Sequence, residues 1–104
     1  MESRPVSLDT IIREQARLIV LKALAAQTDE TLNSDLLVHE LRAFAIRKDR
    51  TWLHGELDWL ADMAAVTLLS VGTIKIATLT AKGARHLSRE IAIEGIQRPS
   101  RPGE

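Results

Sequence analysis

Apolar positions recur along this chain with two periods, and the change of period separates a helical part from a hairpin. From Leu8 the pattern is helical: Leu8, Ile12, Ile19, Ala23 and Leu24 fall on one face. Ile11, Leu18, Val20 and Leu21 widen that face until the second half of the helix is apolar nearly all round. A helix of that kind is either central to a core or shared with a second subunit. Ser7 or Asp9 is placed to cap its start.

Polar turn formers from Gln27 to Thr31 interrupt the pattern. A second helix is predicted from Asn33 or Ser34, both good caps, to Phe44, with Leu37, Leu41 and Phe44 as its buried stripe and Leu36 in support. The short connection Ala45–Lys48 leads to a third helix capped by Asp49. Leu53, Leu57, Leu60 and Ala64 repeat at spacings of four, three and four and form its inner stripe. At 100° per residue the opposite face carries Thr51, Gly55, Asp58 and Asp62. Trp52, Glu56, Trp59 and Met63 lie on one shoulder, and Arg50 and His54 on the other.

The period then falls to two. Val66–Val71 and Ile74–Leu79 are β-branched-rich runs split by Gly72-Thr73, the signature of a two-residue hairpin turn with φ > 0 at its first position. Thr80 caps a fourth helix with Ala84, Leu87 and Ile91 inward, and Gly95 is placed to close it, with Ile96 folding back on Ile91. The expected fold is mainly α with a small β-hairpin. Three helices, a two-stranded wing and a C-terminal helix form a winged helix-turn-helix. Residues 1–7 are read as an N-terminal arm, 8–96 as the domain and 97–104 as a basic, proline-containing tail.

Composition narrows the function classes. In 104 residues, 45% are apolar and only 3% aromatic, which predicts one aliphatic core. Basic and acidic residues balance at 14 each, so any nucleic-acid contact must come from local charge asymmetry. The absence of cysteine excludes disulfides and thiolate chemistry and fits a reducing cytoplasm. Leu18–Leu21, between Arg17 and Lys22, is too short for a bilayer span, and MESRPVSLD lacks the apolar run of a signal peptide. A cytoplasmic protein of a bacterial host is the expectation. His39, His54 and His86 show no ligand spacing, and no phosphate loop or catalytic constellation is present, so no enzyme activity, metal or cofactor is expected.

Two segments resemble the winged-helix superfamily of MarR-, PadR- and ArsR-like regulators. LHGELDWLADMAAV resembles the end of a recognition helix entering the first wing strand. ATLTAKGARHL resembles the junction from the second wing strand to the last helix, with the T-x-K-G residues at Thr80, Lys82 and Gly83. More closely, SLDTIIREQARLIVLKALA, LNSDLLVHELRAF, WLHGELDWLADM and IEGIQRPSRP are similar to small winged-helix proteins encoded in Mu-like prophages. That resemblance implies a phage setting and, by analogy, transcription regulation.

In such a fold the N-terminal half of the third helix reads base edges while its neighbours hold phosphates. The candidate DNA contacts are Arg47, Lys48, Arg50, Thr51 and His54, with Lys75 on the hairpin. Arg4, Arg98 and Arg101 are further candidates in the arms. Two readings of the basic turn stand side by side: a phosphate grip, or a solvated turn. From Arg47 to Asp62 there are three basic and four acidic side chains, and Glu56, Asp58 and Asp62 are expected to oppose a deep approach to DNA. The leading expectation is a DNA-binding, transcription-regulatory homodimer, paired through the first and last helices. The alternative is a protein-interaction module in phage assembly or host takeover that uses Trp52, Trp59, Arg98 and Arg101.

Overall fold

Polar caps decide where the helices begin. In the computed structural model, which describes residues 6–101, Ser7 accepts the Thr10 N–H at 3.1 Å and opens α1 (Leu8–Ala25). Asn33 accepts the Leu36 N–H at 2.9 Å and opens α2 (Ser34–Ala43). Asp49 accepts the Trp52 N–H at 2.8 Å and opens α3 (Arg50–Asp62). Thr80 accepts the Gly83 N–H at 3.1 Å and opens α4 (Ala81–Leu87). Each side chain satisfies an amide that the first helical turn leaves without a partner.

Three antiparallel strands complete the described residues: β1 (Thr31–Asn33), β2 (Val66–Val71) and β3 (Ile74–Leu79), in the spatial order β1-β3-β2. The β2–β3 hairpin turns at Gly72, whose φ of 60° is the left-handed value that favours glycine. Thus the architecture is four helices with a three-stranded sheet, where the sequence reading expected a mainly helical chain with a two-stranded hairpin. Three residues are too few to show a period, and β1 exists only because β3 pairs with it across the fold. Leu79 N–H reaches Glu30 O at 3.0 Å, and the Thr31 and Thr78 hydroxyls meet at 2.9 Å. Beyond the strand, Ser34 Oγ accepts Lys75 N–H at 3.1 Å, which accounts for a fully buried serine.

Leu53, Leu57 and Leu60 of α3 pack with Val20, Leu21 and Leu24 of α1, Leu37 and Leu41 of α2, and Ala77 and Leu79 of β3. The girth of apolar residues on α1 is therefore taken up within one chain. Its first turn is the exception, with Leu8 and Ile11 exposed.

Two helix ends differ from expectation for a shared reason. Ala45 (φ 62°) and Ala64 (φ 61°) adopt left-handed backbone and stop α2 and α3. The next residue then returns to the core: Ile46 N–H bonds Leu41 O at 3.0 Å, and Ala65 N–H bonds Leu60 O at 2.9 Å. Ile46 and Ala65 thus take the places assigned to Phe44 and Ala64. Phe44 and Leu36 are half exposed, and Phe44 lines a cleft of about 280 Å³ with Leu18, Ile19 and Ala23.

The fourth helix stops at Leu87 rather than running past Ile91 to Gly95, with Arg89 left-handed (φ 66°). Gly95 (φ 97°) does not end a helix, and Ile96 N–H bonds Ile93 O at 3.2 Å instead of folding back on Ile91. The segment after α4 is laid along the body, with Ile93 and Ile96 buried. Buried His86 holds it. Its Nδ1 accepts Ile93 N–H at 3.0 Å, so Nε2 carries the proton and donates to Gln97 O at 3.0 Å. Gln97 N–H bonds Glu14 O at 3.2 Å, and Arg89 donates to the Pro99 carbonyl, so residues 97–99 of the expected tail belong to the packed body.

The T-x-K-G residues lock the end of α3 to the start of α4. The Thr80 hydroxyl bonds Ala64 O at 2.7 Å and Lys82 Nζ bonds Met63 O at 2.8 Å. A Cβ on Gly83 would sit 2.4 Å from Ala65 O, so only glycine allows this approach.

Candidate nucleic-acid interface

The outward face of α3 follows from its inner stripe. With Leu53, Leu57 and Leu60 fully buried, Thr51, Gly55, Asp58 and Asp62 are turned out and exposed. A Cβ on Gly55 would meet nothing within 4 Å, so no packing inside the chain calls for a glycine in this helix.

Glu56 departs most from the sequence reading. Placed among the acidic side chains facing DNA, it is instead 3% exposed and turned toward α1. Arg13 Nη1 donates to its Oε2 at 2.5 Å, and Arg17 Nε donates to its Oε1 at 2.8 Å. Arg13 also bonds Asp9 at 2.9 Å; that bond first, then the charge of Glu56, raises the Arg13 pKa above its ordinary value. Arg17 Nη1 continues to Gly95 O at 2.8 Å. Each arginine also lies over a tryptophan ring, Arg13 at 5.6 Å from the Trp52 centroid and Arg17 at 3.8 Å from that of Trp59. Arginines four apart on α1 thus interleave with Trp52, Glu56 and Trp59 on α3. Sequence spacing shows each half of this set, but nothing local shows that the halves meet.

This removes one negative charge from the exposed surface of α3 and also accounts for Trp59. Its ring lies beneath Arg17, and a Cβ on Gly95 would come within 2.5 Å of it. Trp52 is half-buried, with the Lys48 ammonium 5.5 Å from its ring centroid, so Lys48 is drawn toward Trp52.

The remaining candidate contacts gather where the hairpin tip meets the start of α3. Arg47 is exposed, with no side-chain partner among the described residues. Arg50 Nη1 is 3.4 Å from Asp35 Oδ1 and 3.3 Å from the hydroxyl of Thr73 at the turn. Lys75 pairs with Asp58. Asp58 and Asp35 are each more than half exposed, and surface pairs of this kind contribute about 0–1 kcal/mol, so a phosphate can replace either carboxylate. Between α2 and α3, Asp35, Arg42, Asp49 and Arg50 line an open cleft with Val38.

His54 lies beneath this cluster. Its Nε2 is buried with no hydrogen-bond partner. Desolvation first, then the charges of Lys75 and Arg50, lower its pKa, so the ring is neutral at pH 7.

Of the arm residues, Arg98 and Arg101 are exposed and stand apart from α3 in the chain, and Arg4 lies outside the described residues. Among the described residues no group of three His, Cys, Asp or Glu side chains is arranged to hold a metal ion, and no helix is long and apolar enough to cross a membrane.

No protein-family model matches the chain, and no solved structure does. The chain is similar to a protein of Escherichia phage Mu, the uncharacterized protein gp26. The two are 28% identical over 92 residues, spanning 88% of this chain and 95% of the Mu protein. This similarity supports an origin among Mu-like phages.

Proposed function

We propose that the chain is a winged helix-turn-helix protein that binds duplex DNA through the first half of α3, as a small regulatory protein of a Mu-like phage. Arg47 and Arg50 hold phosphates, while exposed Thr51 faces the groove and His54 packs beneath them. Lys75, on the hairpin, reaches the backbone beside them. The inward turn of Glu56 carries this reading: its charge is spent on Arg13 and Arg17, so the half of α3 nearest the hairpin presents cations without that carboxylate. The β1-β3-β2 sheet supports the fold, since it sets the hairpin beside the start of α3. The Mu relative supports the phage setting.

Asp58 and Asp62 remain outward on the second half of the helix, so the contact is shallow and centred on the first two turns. Few phosphates are then neutralised, so binding should be weak and its salt dependence modest. Fluorescence anisotropy with a random duplex tests this. With about three or four phosphate contacts, the log–log slope of affinity against salt should lie at about −2.7 to −3.6. Arg47→Ala with Arg50→Ala should flatten it by about 2. Absence of binding at low salt by the wild-type protein overturns the proposal, and an unchanged slope in the double variant removes these two residues from it.

A further inference from the structure

The segment after α4 holds one arginine between two anchors. Gln97 is fixed through both of its backbone groups: its carbonyl accepts His86 Nε2–H at 3.0 Å, and its N–H donates to Glu14 O at 3.2 Å. Two residues on, Pro99 is buried and its carbonyl accepts Arg89. Arg98, between these anchors, is exposed.

There Arg98 forms one wall of the cleft of about 280 Å³ that Phe44 lines from the end of α2. The floor is α1, where Leu18, Ile19 and Ala23 offer only apolar side chains. Lys22 rises from the same helix, and Glu40 lies one turn before Phe44 on the α2 wall. None of these three charged side chains has a partner among the described residues. Two cations and one carboxylate leave the cleft with one uncompensated positive charge above an apolar floor. Lys22 lies about 140° round α1 from Arg17, so the cleft opens away from Glu56 and α3.

We propose that this cleft binds a small monocarboxylate with a compact apolar body, one ring in size. The ring lies on Leu18, Ile19 and Ala23 against Phe44, and the carboxylate is met by Arg98 and Lys22. Glu40 limits the charge of the ligand: a dianion meets its carboxylate, and a cation meets Lys22 and Arg98. The volume suits a ligand of that size, at the small end of the range of about 300–1,000 Å³ for small-molecule sites. The wall that carries Arg98 is already bonded in place, so binding requires little ordering of the chain. The site shares no residue with the duplex contacts of Arg47, Arg50, Thr51 and Lys75, and it stands or falls separately from them.

Benzoate is the probe, titrated at low salt and neutral pH into isotope-labelled protein and followed by amide chemical shifts. The amides of Ala23, Phe44, Gln97 and Arg98 should move together, with a dissociation constant of about 1 mM or tighter. Benzylamine carries the opposite charge and phthalate a second carboxylate, and each should bind at least about fivefold more weakly. Arg98→Gln should weaken benzoate by about three- to fivefold, whereas Glu40→Gln should tighten it and admit phthalate. Ala26→Leu, at an exposed position lining the cleft, should abolish the shifts while circular dichroism shows the fold retained. Arg85→Gln, at an exposed cation on α4, should leave the affinity unchanged. Absence of shifts at about 20 mM benzoate overturns the proposal. So do shifts centred outside the cleft, benzylamine binding as tightly as benzoate, or an affinity that Arg98→Gln leaves unaltered.

Discussion

Replacing Glu56 by alanine separates a buried charge from a solvated one. Glu56 is 3% exposed, and the Arg17 side chain bonded to it is 11% exposed. Removing the carboxylate leaves Arg17 in a poorly hydrated position with only the Gly95 carbonyl and the Trp59 ring against it. Breaking such a pair from one side costs about 3–5 kcal/mol. Arg13 is 39% exposed and keeps Asp9, so its share stays at the surface scale, under about 1 kcal/mol. For a domain of this size 1 kcal/mol moves Tm by about 4–8 °C, so Glu56→Ala should lower Tm by at least about 12 °C. Thermal and urea unfolding followed at 222 nm give the comparison, with an unchanged urea slope confirming a native-state effect. Glu56→Leu combined with Arg17→Leu should recover most of the loss, because an apolar pair of similar volume carries no desolvation cost. A fall of under about 4 °C for Glu56→Ala is what a solvated surface carboxylate gives, and it would refute the reasoning.

Two glycines should respond with opposite signs. Gly83→Ala drives a Cβ toward the Ala65 carbonyl and should destabilise by about 1–3 kcal/mol, whereas Gly55→Ala meets open space and should stabilise by about 0.5–1 kcal/mol, both read from urea midpoints. If the α3 face lies against DNA, Gly55→Ala should also weaken duplex binding despite its added stability; unchanged affinity would place the contact elsewhere. The depressed His54 pKa means that the unfolded chain takes up this proton first as pH falls. Stability should therefore decline from about pH 6.5 down toward the folded-state value and level off below it. His54→Gln should flatten that dependence, and superimposable pH profiles of the two proteins would reject the assignment.

Much of the fold could be read along the chain because its signals are local. The caps Ser7, Asn33, Asp49 and Thr80 and the Gly72-Thr73 turn each act within four residues. What escaped depends on partners distant in sequence or on backbone no residue type announces. β1 needs β3, and alanine rather than glycine takes the left-handed stops at residues 45 and 64. At the candidate interface, the exposed face of α3 is fixed by its leucine stripe, so Thr51, Gly55 and Asp58 were placed from periodicity alone. Glu56 is not legible in the sequence, because a carboxylate at a helix shoulder is ordinarily solvated and only the docking of α1 brings Arg13 and Arg17 to it.

The ion pairs around Glu56 also bear on the order of events in folding. They join residues 43 and 39 positions apart, and Arg17 reaches Gly95 across 78. The hairpin, by contrast, closes over two residues. Loop closure grows costlier with length, so the hairpin and the helix it adjoins can form while α1 is still undocked. Contacts made that late are absent from the transition state. Their loss should leave the folding rate nearly constant and accelerate unfolding, which makes the arginine–glutamate set a determinant of how long the native state persists.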